Sequence, residues 1–207
     1  GTGDRVMIVG FYIDGHTPKQ LLIRGIGPGL TPHGVTGVLG DPMLRLFNGD
    51  RALVAANDDW AGNPVLRAAA TSVGAFPLAD DSLDSVILVT LAPGAYSAQM
   101  SGVGNVTGVG LIELYDVDAL APFSSQRLIN VSTRGEVGTG NRVLIAGFNV
   151  NGSSPKRLLV RGVGPTLANH GVTSAVADPR LQIFQGQTVI RENDDWANGN
   201  DPVAIRT

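Results

Sequence analysis

Apolar residues fall in short runs along this chain, and each run is bounded by Gly, Pro, Asn or Asp. That spacing predicts strands joined by tight turns. Residues 5–13 (RVMIVGFYI) read as a strand, 14–18 as a turn, and 19–26 (KQLLIRGI) as its hairpin partner. A Gly/Pro-rich loop fills residues 27–42. Residues 43–47 (MLRLF) alternate as a half-buried strand does, Asn48-Gly49 supplies a hairpin turn, and 52–56 return from it. One helix is predicted over 63–73, with Asn63 as N-cap, Pro64 in the first turn and Gly74 as the stop. Three more strands follow at 85–91, 95–103 and 108–117. Residues 119–126 read as a linker, and 127–133 as a strand opening the next module.

About seven short strands with regular turn signals predict an all-β fold: antiparallel, jelly-roll-like β-sandwich modules with one short helix each. The modules stand in tandem because the chain repeats itself. Gly1-Thr2-Gly3-Asp4-Arg5-Val6 returns as Gly138-Thr139-Gly140-Asn141-Arg142-Val143. Residues 18–28 return as 155–165, His33-Gly34-Val35-Thr36 as 170–173, and Asn57-Asp58-Asp59-Trp60 as 193–196. The period is about 137 residues, Gly1 to Gly138, with one residue lost before the last motif. The expected organisation is a first module at 1–118, a linker at 119–126 and a second module at 127–207. A long repeat favours an array over a single catalytic body.

Composition narrows the function. The net charge of −3 and the lack of a basic stripe argue against nucleic acid. No apolar run is long enough to span a membrane as a helix. There are no cysteines, so disulfides, thiolate chemistry and cysteine-based zinc sites are excluded.

Leu91-Ala92-Pro93-Gly94-Ala95-Tyr96, Ser101-Gly102 and Gly110-Leu111-Ile112-Glu113-Leu114-Tyr115 resemble the closing strands of bacterial pre-peptidase C-terminal domains. The order of Leu44-Arg45-Leu46-Phe47 and Asn57-Asp58-Asp59 fits the same pattern, so the resemblance covers 41–117. It implies a jelly-roll module trailing a secreted enzyme. The Gly1–Leu39 stretch departs from it. The whole chain, from RLINVSTRGEVGTG through LLVRGVGPTL to ENDDW, resembles glycine-rich tandem repeats of large secreted bacterial proteins.

Candidate chemistry is sparse, and no catalytic residue is nominated. The oxygen-rich turns Asn57, Asp58, Asp59 and Asn193, Asp194, Asp195 are candidate calcium ligands, with Asp41 and Asp178 nearby in sequence. Against this, Asn and Asp also cap turns through their own backbone. Trp60 and Trp196 follow the acid pairs and read as side chains closing the end of a module, with sugar stacking as the other role. Gly25-Ile26-Gly27-Pro28-Gly29 hints at a phosphate loop, but Pro28 and Pro32 oppose a helix opening there. His33 and His170 read as loop tethers, and Asp80-Asp81-Ser82-Leu83-Asp84 as a solvated turn.

The sequence expectation is a non-enzymatic, extracellular or cell-surface structural repeat, with no cofactor beyond calcium. The alternative is a carbohydrate-binding or substrate-anchoring module of a secreted hydrolase, with polysaccharide as partner. The first copy lacks a leading strand and the second lacks counterparts of 85–117. At about 1.5–3 kcal/mol per apolar side chain, the missing layer forfeits on the order of 15–30 kcal/mol of burial. That exceeds the ~5–15 kcal/mol net stability of a domain. Completion by head-to-tail copies of the same protein is therefore expected. Arg127, Leu128, Ile129, Asn130, Val131, Ser132 and Thr133 are the candidate strand donated between modules.

Overall fold

The computed structural model describes residues 6–120, 127–140, 143–150 and 155–195. It divides into two compact units, Gly1–Glu136 and Val137–Thr207. The fold is predominantly β, and all its strand ladders are antiparallel.

Unit 1 contains β1 (Met7–Asp14), β2 (Lys19–Ile26), β3 (Pro42–Asn48), β4 (Leu53–Asn57), α1 (Pro64–Ser72), β5 (Ser85–Leu91), β6 (Gly94–Gly102), β7 (Leu111–Asp116) and β8 (Arg127–Arg134). They form a five-stranded sheet, β4-β3-β6-β1-β8, and a three-stranded sheet, β5-β2-β7. β1 and β2, expected to pair as a hairpin, lie in different sheets. The short Gly15–Pro18 link carries the chain from one sheet to the other. Their apolar faces are satisfied by strands far away in sequence, which a local reading does not see.

Both sheets feed one hydrophobic cluster. Phe11, Ile13, Leu44, Leu46, Ala98 and Met100 come from the larger sheet. Leu21, Ile23, Ile87 and Leu91 come from the smaller. On the opposite face of the smaller sheet, Leu22 and Val86 pack with Trp60 and with Ala69 of α1. This explains why β2 is buried along almost its whole length: one face meets the second sheet and the other meets the helix side. The helix itself follows its sequence signals. The Asn63 side chain accepts from the Val65 and Leu66 amides, Pro64 stands in the first turn, and Gly74 follows at φ 71°.

β8 differs from expectation. Instead of opening the second module it pairs with β1, from Ile8–Arg134 to Asp14–Arg127. The units divide after Glu136, downstream of the expected linker, and residues 121–126 of that linker lie outside the described residues. The Asn48-Gly49 turn also differs. The loop spans Gly49–Ala52, the left-handed residue is Arg51 (φ 63°), and Asn48 Oδ1 accepts from the Asp50 and Ala52 amides.

Unit 2 reproduces two pieces of unit 1. The first is a six-residue 3-10 turn, Pro165–His170, matching Pro28–His33. The glycines that end them have φ/ψ of 81°/13° (Gly171) and 80°/11° (Gly34). A Cβ on Gly27 would sit 1.9 Å from the Leu39 carbonyl oxygen, and one on Gly164 would sit 2.1 Å from that of Val176. The same close backbone approach therefore requires glycine in both copies.

The second piece is the hairpin of β9 (Leu181–Gln185) and β10 (Thr188–Asn193), which repeats the register of β3 and β4. Phe184 faces Val189 as Phe47 faces Leu53, and Ile183 faces Arg191 as Leu46 faces Ala55, with a bulge at the same step. Residues 143–150 and 155–164, counterparts of β1 and β2, carry no strand pairing among the described residues. In unit 1, β1 and β2 do not pair with each other but depend on β5–β8. Among the described residues of unit 2 there is no counterpart of α1, although one short helix per module was expected.

Candidate functional site

The Asn-Asp-Asp-Trp turn joins β4 to the helix. Asn57 spends both ends of its carboxamide on the backbone. Its Oδ1 accepts from the Val86 amide at 2.8 Å, and its Nδ2 donates to the Asp59 carbonyl at 2.9 Å. It thus ties β4 to β5, twenty-nine positions on. Trp60 is only 4% exposed, its indole Nε1 donates to the Ala79 carbonyl, and Arg67 lies over its ring. The ring closes the core beside α1 and offers no platform for a sugar. Asp58 and Asp59 are exposed.

Burial is the main cause that raises the Asp41 carboxyl above its ordinary range, with the charges of Asp59 and then Asp58 adding to it. Those three acids are the oxygen donors that a calcium ion at this turn would draw on. Among the described residues, no three His, Cys, Asp or Glu side chains converge as a metal site. In the second copy, Asn193 Nδ2 donates to the Asp195 carbonyl at 3.4 Å, as in the first. Trp196 lies outside the described residues.

The glycine loop after β2 does bind an anion, but one from its own chain. The amides of Gly27 and Gly29 donate to the carboxylate of Asp84, which also accepts from the Ser82 hydroxyl. Asp84 is fully buried, so the solvated-turn reading fails for it, while Asp80 and Asp81 are exposed. Loop amides that converge on one point make a cradle for negative charge, and here the carboxylate fills it. His33 sits edge-on to Phe76 with ring centres 4.8 Å apart, a ring contact where a hydrogen-bonded tether was expected.

Two buried charges escaped the sequence reading. Lys19 Nζ is 2.7 Å from Asp116 Oδ2 with no exposure of the lysine. Arg24 faces Glu113 across the β2–β7 ladder, its Nε 3.2 Å from Glu113 Oε2 without hydrogen-bond alignment. Arg24 also donates to the Phe76 carbonyl and stacks over the Phe76 ring at 4.4 Å. Tyr115 donates to Glu113, and burial first, then that hydrogen bond, pushes its phenol up to about 12. The only available signal was the pair of basic residues Lys19 and Arg24 within the apolar KQLLIRGI and the acids within ELYD.

The candidate assembly strand, Arg127–Thr133, lies along the edge of the five-stranded sheet against β1. No helix among the described residues is long and apolar enough to cross a membrane. No protein-family model, curated protein or solved structure matches the chain.

Proposed function

We propose that this chain is a non-enzymatic structural repeat protein of the cell surface or extracellular space. In this reading its copies are β-sandwich modules that join through shared strands into a fibre, filament or layer. The observation that carries it is β8. In sequence it leads into the second copy, yet it pairs along β1 of the first. β8 is the edge strand of its sheet, and an open sheet edge is where a strand of another module can add to build an array.

The polar groups that first resembled chemistry have structural work instead. Asp84 holds loop amides, Asn57 ties two strands, and Trp60 fills the core. Multi-angle light scattering on the chain tests the reading. Mass should rise with concentration, and Val131→Pro in β8 should abolish the rise, since proline removes the strand's amide and fixes its backbone. A monomer at every concentration would overturn assembly.

A further inference from the structure

Lys19 opens β2 and Asp116 closes β7, strands that lie side by side in the smaller sheet. Side chains alternate along a strand, so Lys19 shares a face with Leu21 and Ile23, and Asp116 shares one with Ile112 and Leu114. Leu21 and Ile23 belong to the main core, and Ile112 and Leu114 pack against it. The pair therefore stands at the end of the interior row between the two sheets.

Lys19 is 0% exposed. Its one acceptor among the described residues is the Asp116 carboxylate, with Nζ 2.7 Å from Oδ2. An ammonium carries three donors, so a single acceptor leaves it poorly solvated in the interior. The other carboxylate oxygen, Oδ1, accepts from the backbone amide of Asp118 at 3.1 Å. The Asp116 side chain keeps 25% exposure, which gives a small leaving group a way out.

Nitrogen and carboxyl held in contact away from bulk water are reactants already brought together. We propose that Lys19 and Asp116 condense into an intramolecular isopeptide bond that joins β2 to β7. A proton passes from Nζ to Oδ2 along their contact. The Nζ lone pair attacks Cγ, and negative charge builds on Oδ1, where the Asp118 amide donates to it. Oδ2 leaves as water after taking a second proton from Nζ. One C–N bond forms and one C–O bond breaks, so ammonium and carboxylate become a neutral amide and one water, with no oxidant or reductant. The product keeps one N–H in place of three and removes a buried charge, whose burial is costly. The bond links positions ninety-seven apart in a chain that has no cysteine, the role a disulfide plays elsewhere. It stands apart from the structural-repeat reading, because both groups lie within unit 1.

Intact mass spectrometry of the purified, folded chain tests the bond. The expected mass is one water below that of the sequence, and a protease digest contains a branched peptide joining Lys19 to Asp116. Asp116→Asn is expected to form the same bond with loss of ammonia in place of water, since nitrogen then leaves Cγ. Asp116→Ala and Lys19→Met should each show the full mass of their sequences. On a denaturing gel the boiled native chain should run ahead of Asp116→Ala, because an internal link makes the unfolded chain more compact. A folded native chain at full sequence mass, with Lys19 and Asp116 in separate linear peptides, leaves an ion pair only and overturns the proposal. A water deficit that persists in Asp116→Ala overturns it as well, because the loss then lies elsewhere.

Discussion

The carboxylate of Asp84 accepts the amide proton of Gly27 at 2.7 Å across a sequence separation of fifty-seven residues. That contact fixes the exit of β2 to the entry of β5, and Gly29 and Ser82 complete the coordination of the same buried group. Hydrogen bonds to a charged group contribute about 1.5–3 kcal/mol each, and orphaned amides cost more than the mean suggests. Asp84→Ala should therefore destabilise unit 1 by about 3 kcal/mol or more. Urea unfolding followed by Trp60 fluorescence in a Trp196→Phe background measures this, and a loss below about 1 kcal/mol would contradict the assignment.

Arg24 and Glu113 should be strongly coupled. Removing one member of a buried ion pair costs about 3–5 kcal/mol because the other charge stays buried without its partner. Arg24→Met should fall near the low end of that range, since Glu113 retains 16% exposure. The double variant Arg24→Met with Glu113→Leu should be more stable than the Arg24→Met single variant. A double-mutant cycle checks this, and additive losses would show that the pair does not interact.

Tyr115 provides a pH signature. Its phenol ionises near 12, above the ordinary value of 10.0. A raised folded value means that its stabilising contribution is complete below pH 10 and disappears as pH rises through about 12. Ultraviolet titration of the phenolate should show a step near pH 12 that Tyr115→Phe removes. Glu113→Gln should move the step downward by weakening the hydrogen bond and the neighbouring charge. A step that stays put in Glu113→Gln would assign the shift to burial alone.

Asp41 gives the opposite practical outcome at neutral pH. Its carboxyl is raised above 3.8, first by burial and then by Asp59 and Asp58. The folded state thus holds the proton more tightly than the unfolded state. Its contribution is complete below the unfolded value and lost as pH rises through the folded one, leaving charge strain at pH 7. Asp41→Asn should raise the melting temperature at pH 7, with the gain vanishing below about pH 3.9. Repeating the melts in millimolar calcium reads the proposed ion directly. A cation shared by Asp41, Asp58 and Asp59 would reverse the advantage of asparagine, and an unchanged difference would exclude it.

Local signals in the sequence determined the elements. Asn63, Pro64 and Gly74 bracket α1 because capping and backbone freedom act over a few residues. β2, β5 and β8 stand where their apolar runs are bounded by turn residues, and the matching motifs at 28–33 and 165–170 take the same 3-10 turn. Tertiary structure alone decided who pairs with whom. The close spacing of β1 and β2 read as a hairpin, yet their apolar faces are satisfied by β6, β8, β5 and β7. Asp84 read as part of a solvated turn, and Lys19 and Arg24 carried no reading beyond their strand, because burial of a charge is set by its partner. Those partners are Asp116, Glu113 and the Gly27 amide, all more than fifty positions away. A strand's sequence carries its period and its ends, but its neighbours follow from the topology that lets every apolar face and every buried charge be matched together.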